Sequence, residues 1–433
     1  MGQKRKMDRL QKIIFEQQKR IDFLEKKVEI LENRLSKYEN AHTPPSLTEK
    51  KPRQPSNGSG KPGQKEGHPG ITRPQPEPTE HIESKLDACP HCHNLLGEPI
   101  RTERRIIEEI PEPQPVRVIE CTTNHYWCDE CNNEIVASHP DMPKEGRFGK
   151  NVLAQTTLLK YEDRLPHRKI REHLERQYGL IVSPGAIFDF THRANIRLQS
   201  EYNFILQKIR ESSILNVDET GIHVNGEKYW IWIFVTLTDT FVIIRKSRGM
   251  KVLIEVLTKK YDGIIICDGW KPYVNFTDRI QRCWAHLLRE LKFVAEDVEE
   301  AVPLSKGIHR LYDRLCESLN EDPPPEIRKR IWYEARATMN RWLRRHYNNP
   351  SIVKLIAKIR NGFDHWFTFI INLGVDPTNN RAERALREHV VQRKIIGTLR
   401  NTKGTHIHEV VMSVLATWKQ QGKNLYQTLR LSL

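Results

Sequence analysis

The chain has 433 residues, 29% of them charged, and a formal net charge of +15 at pH 7. This length predicts about two to four domains, and the excess of Lys and Arg along the whole chain favours nucleic acid over a membrane as partner. No apolar stretch approaches the ~18 residues of a membrane-spanning helix, and no signal-peptide core follows the basic N-terminus.

Residues 1–40 show a heptad repeat. One seam position holds Ile14, Ile21, Val28 and Leu35, and the other holds Leu10, Gln17, Leu24, Leu31 and Tyr38. Mostly β-branched residues at one position with mostly Leu at the other favour a parallel two-stranded coiled coil, and therefore a homodimer. A single amphipathic helix packed on its own domain is the alternative. Residues 41–84 are rich in Pro and Gly, which predicts a disordered linker.

Two Cys-x-x-Cys pairs in residues 85–135 predict a zinc-binding domain of the zinc-ribbon type. The pairs are Cys89 with Cys92 and Cys128 with Cys131. Four thiolates complete a tetrahedral Zn²⁺ site, and this use of half of the eight cysteines suits a reducing, cytoplasmic compartment. The pairs are further apart than in most ribbons, and segments 105–110 and 116–121 are predicted as strands between them. Unpaired core thiols are the alternative.

Residues 136–210 have a helical pattern. A helix from Pro166 to Tyr178 is predicted to end at Gly179, and Ser183-Pro184 supplies the cap and first turn of a second helix running towards Ala194. This outline is typical of a helix-turn-helix DNA-binding domain, and also of a simple helical hairpin. Basic side chains on it, Arg168, Lys169 and Arg193, are candidate DNA contacts.

Residues 211–300 change to a strand pattern. Strands are predicted at 214–217, 229–237, 241–245, 263–267 and 280–284, with a helix at 251–257 between the third and the fourth. This order matches a ribonuclease-H-like α/β domain, in which the first and fourth strands are parallel neighbours. Asp218 and Asp268 each follow an apolar run, so we expect both carboxylates at one edge of the sheet.

A third carboxylate completes the predicted site. Residues 301–361 are predicted as a helical insertion, and residues 362–433 as the second part of the catalytic core with C-terminal helices. Glu383 lies on a helix there, near Arg384, Arg387, Arg393 and Lys394, which are further candidate DNA contacts. Three such carboxylates can hold two Mg²⁺ (or Mn²⁺) ions about 3.5–4 Å apart for an in-line phosphoryl displacement. An ordinary salt bridge with Arg387 is the alternative for Glu383.

In this ordered set of motifs, the chain resembles the IS66-type transposases of insertion sequences. The motifs are the heptad start, 62–70 (Pro-Gly-Gln-Lys-Glu-Gly-His-Pro-Gly), the two cysteine pairs, Asp218-Glu219-Thr220, Asp268-Gly269-Trp270-x-x-Tyr273, Cys283-Trp284-Ala285-His286 and Asn379-Asn380-Arg381-Ala382-Glu383-Arg384. The resemblance implies Asp218, Asp268 and Glu383 as an Asp-Asp-Glu triad of metal ligands. Cys283 and His286 resemble a Cys-x-x-His element of related enzymes, with a buried thiol and a core histidine as the alternative.

The sequence therefore predicts a multidomain α+β DNA transposase that is associated with the nucleoid. It would bind the terminal repeats of an element in double-stranded DNA and catalyse metal-dependent hydrolysis and strand transfer, with accessory proteins left open. A ribonuclease-H-like nuclease that cuts without joining is one alternative. A non-catalytic DNA-binding regulator derived from a transposase is another.

Overall fold

A computed structural model describes residues 17–28 (except 19, 23 and 26), 75–139, 142–143 and 146–433. The chain forms two compact units, one of residues 49–115 and one of residues 1–48 and 116–433. Most of the predicted coiled coil and linker lies outside the described residues; those described between 17 and 28 are helical. No helix in the described part combines the length and apolar character needed to cross a membrane.

The unit of residues 49–115 contains the first cysteine pair in a tight turn. An isolated bridge joins Ala88 to Leu95, and the N–H of His93 donates to the carbonyl of Cys89 at 2.8 Å. The amide of Cys92 lowers the pKa of the Cys89 thiol, which favours a thiolate at this turn.

The second cysteine pair lies at a β-hairpin of the other unit. Strand β1 (His125–Cys128) pairs with β2 (Asn133–Val136), and Cys131 lies in the connecting turn. The amide of Cys131 lowers the pKa of the Cys128 thiol in the same way.

The strands predicted at 105–110 and 116–121 are wrong. Both segments are extended without strand pairing, and their apolar side chains are exposed, with Ile107 at 82% and Val118 at 93%. A strand that buries neither face has little to stabilise it, so residues with a preference for strands do not produce one here.

Three helices precede the large sheet: α1 (Lys150–Tyr161), α2 (His167–Tyr178) and α3 (Pro184–Glu211). As predicted, α2 ends at Gly179 in a left-handed conformation (φ 61°), and Ser183 caps α3 by accepting the N–H of Ala186. Helix α3 continues well past Ala194, however. It is 28 residues long and buries an apolar stripe from Ile187 to Ile209, so most of its length is a core element.

A five-stranded sheet follows, in the order β5-β4-β3-β6-β7. Its strands are β3 (Ile214–Val224), β4 (Glu227–Val235), β5 (Thr240–Arg245), β6 (Ile264–Cys267) and β7 (Ile280–Arg282). The hairpin neighbours β3, β4 and β5 are antiparallel, whereas β6 runs parallel to both β3 and β7. The predicted parallel pairing of the first and fourth strands is therefore confirmed.

Helices surround this sheet. Helix α4 (Met250–Leu257) connects β5 to β6, and α5 (Lys271–Phe276) connects β6 to β7. The helical stretch predicted after β7 is confirmed, and its buried Trp284, Met339 and Trp366 lie in an apolar core that also includes Ile266 of β6. Its helices are α6 (Trp284–Asp297), α7 (Val302–Leu319), α8 (Pro325–Leu343), α9 (Pro350–Arg360) and α10 (Thr368–Ile371).

The chain returns to the sheet with α11 (Asn380–Ile396), α12 (Thr402–Gln420) and α13 (Leu425–Ser432). Side chains of α11 and α12, among them Ala382, Val410 and Val414, are buried in the same core as the sheet. This return brings the region around Glu383 back to the strands that carry Asp218 and Asp268.

Candidate active site

The strand register brings Asp218 and Asp268 to matching positions. Strands β3 and β6 pair Ile214 with Ile264 and Asn216 with Ile266, and Asp218 and Asp268 each follow the last of these pairs by two residues. Neighbouring strands lie about 4.8 Å apart, so the two backbones are close here. The expectation that both acids end their strands holds for Asp268. It is wrong for Asp218, because β3 continues to Val224, paired only with β4.

A tight turn orients Asp268 after β6 ends. Its Oδ1 accepts the N–H of Trp270 at 2.8 Å, and Gly269 between them has φ +83°. A Cβ at Gly269 would lie 2.8 Å from Nε of Arg282, so the turn requires glycine for its conformation and for space. In β3, Oδ1 of Asp218 accepts the N–H of Glu219 at 2.9 Å.

Glu383 lies in the first turn of α11, where the helix dipole favours a carboxylate. Asn379 ties this helix start to β3: its amide donates to the carbonyl of Val217 at 2.9 Å and accepts from Asn216 at 3.0 Å. The backbone N–H of Asn379 also donates to Sγ of Cys283 at 3.1 Å. The same helix start is therefore fixed both to β3 and to the beginning of α6.

His286 pairs with the Glu383 carboxylate. Its Nδ1 lies 3.4 Å from Oε1 of Glu383. Among the described residues, Cys283, His286 and Glu383 form a set whose ligand atoms all lie within 4.8 Å of one another. The carboxylates of Asp218, Asp268 and Glu383 are not drawn together that closely, and two ions about 3.5–4 Å apart would not require it.

The acids nevertheless act on one another electrostatically. The pKa of Asp218 is raised well above its ordinary value, first by burial and then by the charges of Glu219, Asp268 and Glu383. Like charges held together in this way need a cation to ionise fully. The hard oxygen donors suit Mg²⁺ or Mn²⁺, so the residues present fit the predicted ions.

Glu219 is a member of this cluster that the sequence did not reveal. Its side chain is 1% exposed, Nε of Arg248 donates to it at 2.8 Å, and the hydroxyl of Tyr273 donates to its other oxygen. Burial and the charge of Asp268 raise its pKa. The sequence offered one signal for Glu219, namely its position directly after Asp218. Arg248 and Tyr273, which contact it, are remote in sequence.

The candidate DNA contacts differ in the exposure of their side chains. Exposed side chains are those of Arg168, Lys169, Arg384, Arg387 and Lys394, although Lys169 also pairs with Glu172 at 2.7 Å. Arg193 is half-buried and pairs with Asp189 at 2.8 Å. Arg393 is half-buried as well and donates to the carbonyl of Gly221 in β3. Arg393 therefore joins α11 to β3 in addition to any role towards DNA, whereas the pair of Arg193 with Asp189 lies within α3.

Two carboxylates on or directly after paired parallel strands, with a third on a helix that contacts one of those strands, are an arrangement suited to metal-dependent phosphoryl transfer. The profile of the Transposase IS66 family matches residues 145–407, which is more than half of the chain. The chain belongs to the IS66 family of transposases. No curated protein matches the sequence. Membership implies an enzyme that cuts and transfers DNA, with DNA as its partner and a divalent metal as its cofactor.

Proposed function

We propose that this chain is a DNA transposase in which Asp218, Asp268 and Glu383 form an Asp-Asp-Glu site for two Mg²⁺ or Mn²⁺ ions. One observation carries the proposal: at the start of the helix that carries Glu383, the Asn379 amide donates to the carbonyl of Val217, directly before Asp218, so distant parts of the chain meet beside these acids. A structural salt-bridge role for Glu383 would pair it with Arg387, whereas the described contact of its carboxylate is with Nδ1 of His286 at 3.4 Å.

The sheet order supports a ribonuclease-H-like catalytic core. Three antiparallel strands followed by two parallel ones, with β3 between β4 and β6, bring the first and fourth strands together. Residues 211–300 and 362–433 would form this core, interrupted by the helical segment 301–361.

In the reaction, water first attacks the phosphodiester at the element end, breaking the P–O bond and leaving a 3′-hydroxyl. That hydroxyl then attacks a target phosphodiester, forming the new P–O bond and releasing a second 3′-hydroxyl. Bound divalent ions would polarise the phosphoryl oxygens and stabilise the charge on the entering and leaving oxygens. Asp218 and Asp268 would hold the ions from the sheet and Glu383 from α11, with His286 Nδ1 at 3.4 Å from Oε1 of Glu383.

The remaining parts of the chain would bind and pair DNA. Exposed Arg168 and Lys169 on α2, and Arg384, Arg387 and Lys394 on α11, suit contacts to phosphates, and the net charge of +15 supports this. We extend the proposal to structural Zn²⁺ binding at the two cysteine turns, with Cys89 and Cys92 as ligands in one turn and Cys128 and Cys131 in the other, because each turn favours a thiolate. The heptads of residues 1–40 would form the homodimer that two element ends require.

The test is a cleavage and strand-transfer assay on labelled DNA that carries the repeats flanking the element. We expect Mg²⁺-dependent cleavage and joining, and a loss of about 10³-fold or more in Asp268→Ala, since an essential ligand is removed. Asp297→Ala, an exposed acid at the end of α6, is the matched control and should retain activity. Cleavage without joining would favour a simple nuclease. Unchanged activity in Asp268→Ala would contradict the proposed site.

A further inference from the structure

An aromatic and cationic cluster lies beside the acids, and the reaction as proposed makes no use of it. The guanidinium carbon of Arg248 lies 4.4 Å from the ring centre of Trp270 and 4.7 Å from that of Trp230. Nζ of Lys228 lies 4.9 Å from the same Trp230 ring. These four side chains, which we name the stacking cluster, combine two indole rings with two positive charges.

The stacking cluster is attached directly to both strands that carry acids. Trp270 follows Asp268 by two residues, and its N–H donates to the Asp268 carboxylate. Arg248 donates to Glu219, the residue after Asp218. A DNA strand whose phosphate lies at Asp218 and Asp268 would therefore have its adjacent nucleotide next to the cluster.

Trp270 is exposed, whereas Tyr273, the aromatic residue three positions later in α5, is buried. Tyr273 is fully buried and donates its hydroxyl to Glu219, which accounts for it as a structural residue. Trp270 is 42% exposed although one face of its indole lies against Arg248. If Trp270 only anchored Arg248, leaving so large an apolar ring in water would bring no gain in stability.

Arg248 also keeps hydrogen-bonding capacity. Within the described part of the chain its hydrogen bond to Glu219 uses Nε, and its side chain is 34% exposed. A guanidinium stacked on indole can still donate in its own plane, for example to a phosphate oxygen. The cluster thus offers a flat apolar surface together with donors for an anion, which are the two features that single-stranded nucleic acid recognises.

We propose that Trp270, Arg248 and Trp230 form a stacking site for an unpaired nucleobase of the DNA strand held at Asp218 and Asp268. The inference rests on the proposed function, since it needs DNA at those acids. Because of this stacking site, we expect the enzyme to bind DNA with a frayed or single-stranded end more tightly than fully paired DNA. Stacking is tolerant of base identity, so the site would recognise the unpaired state and not a sequence.

The test compares two fluorescein-labelled duplexes, one blunt and one with a two-nucleotide 3′ overhang, by anisotropy with the full chain in Ca²⁺. Wild type should bind the overhang duplex about tenfold more tightly, as stacking of one base allows. Trp270→Ala should reduce this ratio to about one while blunt-duplex affinity stays within about twofold. Trp270→Phe keeps an aromatic face and should retain most of the ratio.

Tyr333→Ala is the matched control, because Tyr333 is an aromatic residue of α8 that is 57% exposed. It should leave the ratio unchanged. A wild-type ratio of one, or a Trp270→Ala variant that keeps the wild-type ratio or weakens both duplexes equally, would overturn the stacking site. Failure of the proposed function would give a different result. The protein would then show no Mg²⁺-dependent cleavage while still binding the overhang duplex more tightly than the blunt duplex.

Discussion

Ionisation of Asp218 is opposed by its burial and by three other carboxylates. Burial raises its pKa most, and the charges of Glu219, Asp268 and Glu383 raise it further. Such an arrangement opposes folding of the metal-free chain and favours binding of a divalent cation, which relieves the repulsion. The repulsion therefore makes the metal-free chain less stable and raises its affinity for a divalent cation.

Asp218→Asn should therefore stabilise the metal-free chain while abolishing activity. Removing the charge relieves the repulsion at nearly constant volume, and we expect a gain of about 1 kcal/mol in EDTA. Mg²⁺ should raise the melting temperature of wild type but not that of the variant. Thermal denaturation in EDTA and in Mg²⁺ measures both effects. Asp313→Asn, an exposed acid on α7, is the control, and a variant that melts below wild type in EDTA would contradict the expectation.

For single residues, the sequence predicts the acidic residues of the candidate site better than the residues that contact them. Asp268 could be found because a charge directly after a buried apolar strand is unusual, and Asp218 follows a similar run. The roles of Glu219 and Asn379 could not, because they depend on contacts with Arg248, Tyr273 and the backbone of β3. Those contacts exist only once strands, turn and helix have assembled.

Helix α12 protects the edge strand of the sheet through side chains. Strand β5 is the edge, and its amide groups at residues 240, 242 and 244 donate to Thr417 Oγ1, Ser413 Oγ and Glu409 Oε1 at 3.0, 2.8 and 2.7 Å. Four helical residues rise about 6 Å and two strand residues about 6.6 Å, so the two spacings match. The backbone N–H groups of this edge, which could otherwise pair with a strand of another chain, therefore find their acceptors within the protein.

Ser413→Ala should destabilise the protein by about 1–3 kcal/mol, because the buried N–H of Val242 loses its acceptor. Urea denaturation followed by circular dichroism measures the change. Ser432→Ala is a matched control, since the Ser432 hydroxyl bonds to a carbonyl within its own helix. If both variants lose equal stability, the side chain of Ser413 does not protect the edge.

Two buried histidines join α11 to α12. Nδ1 of His389 lies 3.1 Å from Nε2 of His408, and the ring of Tyr161 packs on His408. Burial lowers the pKa of His389 to about 4, with Glu388 opposing the shift, and lowers that of His408 well below 6.5, helped by His389 and Lys160. Both rings are therefore neutral in the folded chain at pH 7.

This pair predicts a loss of stability in acid. Between about pH 6.5 and pH 4 the unfolded chain binds protons that the folded chain does not, so the free energy of unfolding falls as the pH falls. We expect a loss of about 1–3 kcal/mol over this interval and a smaller one in the double variant His389→Leu, His408→Leu. Urea denaturation at several pH values tests it, with the exposed His346→Gln as control. An unchanged pH slope in the double variant would refute the assignment.

The sequence predicted helices and strands correctly where an apolar pattern corresponds to residues that are buried in the fold. The five strands of the sheet and the α2–α3 hairpin follow from apolar runs, Gly179 and the Ser183-Pro184 cap. The strands at 105–110 and 116–121 failed because their pattern has no partner surface. The length of α3 could not be inferred either, since only its packing beside the sheet shows why the helix continues to Glu211.

For the whole molecule, the sequence predicted the α+β character and the family, and the profile match at residues 145–407 confirms the latter. Domain limits, the coiled-coil dimer and zinc remain proposals. The heptads lie mostly outside the described residues, and the cysteine pairs belong to two separate compact units. Oligomer formation depends on a second copy of the chain, which a single sequence pattern can only suggest.

Divalent-metal binding by the assembled chain is the most direct test of the central claim. Titrating the full-length protein with Mn²⁺, with free ion measured by electron paramagnetic resonance, would report binding to oxygen ligands. We expect wild type to bind Mn²⁺, and Asp218→Asn, Asp268→Asn and Glu383→Gln each to bind it at least about tenfold more weakly, since one charged ligand is lost. Mn²⁺ binding that is the same in wild type and all three variants would contradict the site.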